Sequence, residues 1–505
     1  MLLVGNGKLI TRDPDLPFIP DGCAAVRGSA ISMVGTTSEL RAKYPEAEFI
    51  DAKGGLIMPG FINSHMHFYS TFSRGMAVPG EPAKDFSQVL ERLWWKLDNA
   101  LTLKDTYYSA MTALVDCIKC GCTTVIDHHA SPKAVAGSLC EIAKATREAG
   151  IRASLCYEVS DRDGQKIAYE GIRENISFID WAEEQNDPMI SGKFGLHASF
   201  TLSDLTLEKC AEAMEGRNAG FHVHVAEGPA DEKDSLAKYS KRIVERFRDH
   251  GITGANSIFV HCIHTDETER EIIRETNTAV VHNPESNMGN AVGSANIRAM
   301  IEEGILVGLG TDGYICDMIQ SYRLGNALCK HSSGDPGAGW GELPQMLFIN
   351  NARIAERCFP VKLGMIKEGY AADIIVMDYM PPTEISEKNI NGHLLFGSSG
   401  RNVVTTIANG KVLMKDRKLT IESEGKKILN IRFKPDDDRI AVGYDDGTIE
   451  LWDAALGEKI SGFKAHQGAV SDIRFNGNNR QMATAGSDGS LKLWDTDDLS
   501  AAPVT

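Results

Sequence analysis

Five short apolar runs in this chain each end in a side chain that can bind a metal or move a proton, and that pattern restricts the fold more than any other feature. The first run, residues 56–62, leads into Asn63-Ser64-His65-Met66-His67. On a strand, alternate side chains point the same way, so His65 and His67 project from one face at the strand end. The later runs carry His222, His224 and Glu227; His261 and His264; His282; and Thr311-Asp312-Gly313. Of the 14 histidines, 11 fall between His65 and His282, a concentration that scattered surface residues would not produce.

Helix-like stretches, such as residues 207–217 and 267–275, separate several of the runs. Continuous apolar strands alternating with helices indicate a parallel sheet. Functional residues at the C-terminal ends of several such strands indicate a (β/α)8 barrel. The expected fold is therefore α/β, with a barrel over residues 58–358.

The motifs Pro-Gly-Phe-Ile-Asn-Ser-His-Met-His at 59–67, His-Val-Ala-Glu at 224–227, Val-His-Cys-Ile-His at 260–264, His-Asn-Pro-Glu-Ser-Asn at 282–287 and Gly-Thr-Asp-Gly at 310–313 resemble those of the amidohydrolase superfamily. The nearest branch is that of cytosine/guanine deaminases and chlorohydrolases. Within it, the chain is similar to aminohydrolases of selenium- and purine-metabolism gene clusters. The resemblance covers roughly residues 1 to 420. It implies that residues 1–57 and 359–423 fold together as a small β-sandwich beside the barrel, and both flanks have the required short strands and turns.

The resemblance also implies a set of roles. His65, His67, His224 and Asp312 hold one divalent metal, zinc first and iron second, and Asp312 also serves as base. Glu227 protonates a ring nitrogen, and His261 bonds the attacking water or the developing oxyanion. His197 matches a substrate-contacting position, and His282 is a further candidate. Arg74 and the Asp127-His128-His129 segment resemble features of purine-type deaminases, with His129 as the substrate contact. His222 shares the inward face if its strand is regular, although Glu227 makes His224 the better ligand match.

The implied activity is a metal-dependent hydrolase attacking a C–N bond of a small nitrogen heterocycle such as a purine, pyrimidine or triazine. Hydrolysis of a cyclic amide or carbon–halogen bond on the same site is the alternative. A third reading makes the C-terminal repeats the functional part and the barrel their carrier.

Composition sets the surroundings. A net charge of −16 over 505 residues leaves no basic stripe for nucleic acid. The N-terminus lacks a basic leader and a long apolar core, and Asp13 and Asp15 follow quickly, so neither a signal peptide nor a membrane span is expected. The 11 cysteines show no paired framework, which fits reduced thiols in a cytoplasmic protein. Cys117, Cys120 and Cys122 have no second pair and do not read as a zinc site. A homo-oligomer is expected.

The chain changes character near Glu424. Ile431-Arg432-Phe433 recurs as Ile473-Arg474-Phe475, and Asp446-Gly447-Thr448-Ile449-Glu450-Leu451-Trp452-Asp453 recurs as Asp488-Gly489-Ser490-Leu491-Lys492-Leu493-Trp494-Asp495, both 42 residues on. The period and the Trp-Asp ending resemble WD40 repeats. That resemblance places His466, Asp488 and Trp494 as internal hydrogen-bonding side chains of a blade, with Glu424 standing where the first copy needs a histidine. Propellers close with about 4–8 blades, so two leave open edges. A natural fusion, an artificial or mistaken join, or two blades that complete a ring by oligomerising would each account for residues 424–505. Protein contacts through this segment are a further expectation.

Overall fold

The computed structural model describes residues 1–505 apart from 79, 421–425, 427, 435–438, 454–457, 478–479, 497, 499–502 and 504–505. Two compact units divide the chain, Met1–Thr420 and Ile421–Thr505.

In the first unit, parallel strands come in two sheets. One contains Phe61–Met66, Cys122–Asp127, Arg152–Leu155 and Ile190–Gly192; the other contains Phe194–Ala198, Phe221–Val225, Ile258–His261, Ala279–His282 and Val307–Leu309. Isolated parallel bridges, Val159 to Leu196 and Met66 to Asp312, link the two sheets edge to edge. The second bridge joins the first barrel strand to the last and brings the His65-x-His67 pair to Asp312. Amide hydrogens of Thr311 and Asp312 both donate to the His65 carbonyl, at 3.0 and 3.1 Å. The barrel strands are buried along their length, which explains their unbroken apolar runs.

Helices follow the strands with local start signals. Thr102 and Asp105 form a capping box at Leu103–Lys119, and Asp266 and Glu269 form another at Glu267–Glu275. Among the described residues, no helix is long and apolar enough to cross a membrane.

The two flanks join in one nine-stranded sheet. Leu56–Pro59 pairs antiparallel with Ile374–Met377, Met58 opposite Ile375, and also runs parallel to Leu2–Ile10. Alternation puts Leu2 and Val4 in one apolar cluster with Ile57 and Ile374, and Leu3 in a second cluster with Cys23, Ala25 and Leu40, while register shifts between Val4 and Leu9 bring Leu9 into the first. Gly60 then turns the chain from this sheet into the barrel. A Cβ there would lie 2.3 Å from Thr123 Oγ1, so only glycine allows the approach. Arg152 and Asp373, both buried, form an ion pair between a barrel strand and this sheet.

The second unit has a four-stranded antiparallel sheet from Ile428–Phe433 to Glu458–Lys464 and a three-stranded sheet over Val470–Phe475, Gln481–Gly486 and Leu491–Asp495. In the second blade Thr484 Oγ1 links His466 Nε2, at 2.8 Å, with the indole N–H of Trp494, at 2.9 Å. His466 Nδ1 lies 3.3 Å from Asp488. Glu424, the departing position of the first blade, lies outside the described residues.

Candidate metal centre

Each site residue sits where a barrel strand ends and the backbone turns away. Ala226, His261 and Asp312 take φ values of 47°, 71° and 55°, left-handed conformations that are uncommon without glycine. Such positions cost roughly 1–3 kcal/mol each and cluster at functional sites. Here they aim His261, Asp312 and, one residue on, Glu227 into the barrel mouth.

His65, His67, His224 and Asp312 bring one ligand atom each to within 4.8 Å of one another. His67 Nδ1–H donates to the His128 carbonyl at 2.6 Å, and His224 Nδ1–H donates to the His197 carbonyl at 2.9 Å. Both rings therefore turn Nε2 inward. Asp312 Oδ1 lies 2.9 Å from His67 Nε2 and 3.3 Å from His65 Nε2. His222 Nε2 lies 2.9 Å from His65 Nδ1 and fixes the orientation of that ring. Thus His222 supports a ligand and is not one itself.

The electrostatics call for a cation. Burial lowers His65 to about 3 and holds His224 well below its usual range, so both rings are neutral, as ligands must be. His67 is also penalised by burial, but its contact with Asp312 outweighs that and raises it to about 9. Burial opposes ionisation of Asp312 too, yet hydrogen bonds from His65 and His67 hold it well below the carboxylate range. Without a metal, a proton on His67 supplies the positive charge of the cluster. Three imidazoles and one carboxylate suit a single divalent transition metal with a position left open.

Beside this set stand Glu227 and His261. Burial, then the charge of Asp312, pushes the Glu227 carboxyl well above its usual range. Asn290 Nδ2 donates to Glu227 Oε1 at 3.3 Å, and His261 Nε2 lies 3.5 Å from Glu227 Oε2. His261 Nδ1–H donates to Asn287 Oδ1 at 2.8 Å, which leaves Nε2 facing the site. Ser286 Oγ donates to Asp312 Oδ2 and accepts from Asn290 at 3.2 Å, connecting base and acid through one network.

Above the four residues lies a pocket that opens to solvent. His67, His197, His224, Glu227 and Asp312 line its floor and side, and Phe86, Trp94, Trp95 and Phe200 supply aromatic walls. Glu158, Asp98 and Arg162 also line it, and sequence reasoning does not single out any of the three. Glu158 lies 3.2 Å from His128 Nδ1 and 3.8 Å from His197 Nε2. Burial favours its neutral acid, but His197 and His128 outweigh this and hold it well below the usual range. The Asp98 carboxylate pairs with Arg162. The one signal for Glu158 is its place just beyond an apolar strand, and that strand carries no histidine to mark it.

Three expected substrate contacts lie elsewhere. Arg74 is half-exposed and pairs with Asp116 on a helix outside the cavity. His129 is buried behind the wall, with Nε2 2.9 Å from Ser131 Oγ, because the backbone stays extended past Asp127, where neighbouring side chains point to opposite sides and His128 takes the side of the ligands. His282 is buried behind His261, and its Nδ1 lies 3.4 Å from the Asn287 amide nitrogen. It orients the residue that orients His261. Of the cysteines considered for zinc, Cys117 and Cys122 meet Cys316 in a separate buried cluster that excludes Cys120.

The amidohydrolase family model matches residues 56–413, and the WD domain, G-beta repeat model matches 417–453 and 457–495. The chain is 30% identical over 432 residues to a 5'-deoxyadenosine deaminase of Methanosarcina mazei, covering 85% of this chain and 96% of the relative. It is 31% identical over 432 residues to a 5-methylthioadenosine/S-adenosylhomocysteine deaminase of Pelotomaculum thermopropionicum, covering 84% and 96%. An adenosine deaminase structure from Xanthomonas campestris with bound zinc superposes with a TM-score of 0.74 at 22% identity, over 84% of this chain and 95% of that one. The first unit's motifs, parallel strands and four-ligand cluster agree with the sequence matches: the chain belongs to the amidohydrolase family.

Proposed function

We propose that the protein is a zinc-dependent deaminase that replaces the exocyclic amino group of a 6-aminopurine nucleoside with oxygen. The observation that carries this reading is the buried Glu227 carboxyl, grouped with His261 and Asp312 beside the His65, His67, His224 and Asp312 cluster at one pocket floor. Deamination needs both a base for the incoming water and an acid for the ring nitrogen. A carboxyl that protonates the ring nitrogen assists loss of an amine or of a halide alike, so the choice of the amine is supported by the deaminase relatives. The nucleoside class is supported by the names of the relatives and by a pocket with aromatic walls and acidic side chains.

His65, His67, His224 and Asp312 would hold the ion, whose chemistry is to make water a nucleophile at neutral pH. Asp312 takes the proton of the incoming water through its Oδ atoms. Glu227 gives its proton to the ring nitrogen next to the attacked carbon. His261, held by Asn287, bonds the oxygen that develops charge. His197 and the aromatic walls hold the base edge, and Asp98 and Glu158 offer acceptors to sugar hydroxyls. All 11 cysteines are unpaired, which supports a reducing cytoplasmic setting.

Ammonia release over adenosine, 5'-deoxyadenosine, guanine, cytosine and an aminotriazine tests the reading. Turnover of the two adenine nucleosides above the others is expected. Turnover confined to the triazine or to cytosine would overturn the nucleoside assignment.

A further inference from the structure

The two blades of the second unit pack through faces that their repeat reproduces on the outside. Ala441, Ile449 and Leu451 of the first blade are buried against Val470, Ile473, Met482 and Trp494 of the second. Gly443 shows how close the contact is: a Cβ there would lie 2.8 Å from Val470 Cγ1 and 3.0 Å from Ile473 Cδ1. Asn430 Nδ2 donates to the Val470 carbonyl at 2.9 Å, and Arg432 pairs with Asp472 at 3.1 Å.

A shift of 42 residues carries each of these faces to the other blade. Ile449 and Leu451, 0% and 5% exposed, become Leu491 and Leu493, which are 62% and 37% exposed. Val470 and Ile473, both 0% exposed, become Ile428 and Ile431, which are 46% and 48% exposed. The outer face of the second blade therefore copies the face the first blade buries, and the outer face of the first copies the one the second buries. The apolar pattern is copied but the polar one only in part: Arg474 stands in the position of Arg432, whereas Asn430 stands in that of Asp472, so the copied contact would set Arg474 against an amide and not a carboxylate. Two such surfaces, one of each kind, are complementary and not identical.

We propose that a second copy of this chain docks head to tail on the second unit, seating its Ile428–Ile431 face on the Leu491–Leu493 face and repeating the blade contact already made within each chain. The contact is heterologous, so it propagates until a ring closes. The occupant is set by the repeat itself: among the described residues, the first blade's Ile428–Ile431 face repeats the Val470 and Ile473 positions that the first blade already buries, and each chain carries it.

The test is the mass of the full chain in solution by light scattering, over a concentration series, with variants of each face. Leu491→Asp removes one face and Ile431→Asp the other; both side chains are exposed, so the fold is kept, and an unchanged melting transition checks this. Leu491→Ser and Ile431→Ser serve as milder partners if a charge lowers solubility. Each single-face variant should fall to the same smaller mass as the double variant. Mixing the two single-face variants should restore pairing, because one intact face of each kind remains. The proposal is overturned if the full chain shows no assembly that the face variants reduce, or if one single-face variant keeps the full mass. Equal masses before and after mixing would overturn it as well, because the partner would then be something other than a second copy.

Discussion

The Nε2 atoms of His67 and His224 face each other at 3.3 Å although 157 residues separate the two in the chain. Each ring has its other nitrogen bonded to a backbone carbonyl, so neither can turn away. Removing the positive charge between them leaves two electron pairs pointing together beside Asp312. The site is built to be completed by a cation.

Asp312→Asn keeps the shape of the side chain and removes the base. Turnover should fall by roughly 10²–10⁴-fold, the usual range for a lost general acid or base. Steady-state kinetics on the wild type and the variant, with the metal content of both measured, checks this. Near-normal turnover with metal bound would contradict the role.

Glu227→Gln should lose turnover to a similar degree, roughly 10²–10⁴-fold, while retaining metal, because the amide cannot deliver a proton. The acid must be protonated to act, and burial holds its proton well above the usual carboxyl range. As pH rises through the raised value, kcat/KM should decline. A profile whose alkaline limb is unchanged in the variant would remove Glu227 from the reaction.

Asp231 provides a stability test. Burial raises its carboxyl from 3.8 to about 7, with amides of Phe200 and Ala226 partly offsetting the effect. The folded state therefore holds a proton that the unfolded chain releases. The contribution of this group is full below pH 3.8 and is lost as pH rises to about 7. Asp231→Asn should flatten that slope in denaturant unfolding measured across the range; an unaltered slope would contradict the assignment.

Asp373→Ala leaves Arg152 buried without its partner between barrel and flanking sheet. Breaking a buried pair from one side costs about 3–5 kcal/mol. Chemical denaturation should show a loss of that size, and a change below about 1 kcal/mol, typical of an exposed pair, would show that water reaches the site.

Much of this architecture was legible in the sequence because it is written locally. An apolar run ending in His65-x-His67, in His224 or in Asp312 carries its burial and its chemistry in neighbouring residues. The 42-residue repeat was legible for the same reason, whereas the pairing of the distant flanks followed from the family resemblance. What was not legible depends on closure of the barrel. Nothing near Glu158 shows that it will lie 3.2 Å from His128. His128 and His129 are adjacent on extended backbone, and only the register of that strand against its neighbours decides which one faces the ligands. Arg74 follows the metal motif closely, yet a short 3-10 helix, Phe68–Ser73, carries it out to Asp116. His222 alternates with His224 as expected, but its partner His65 comes from the far side of the barrel.

The most direct measurement is a zinc titration of chelator-stripped full-length protein, with ammonia release from 5'-deoxyadenosine and bound metal followed together, in the wild type and in His67→Ala. The account predicts that stripped protein is inactive, that activity returns in proportion to metal, and that it levels off at one ion per chain, with no recovery in the variant. Full activity in the stripped protein, or equal recovery when His67 is absent, would contradict it.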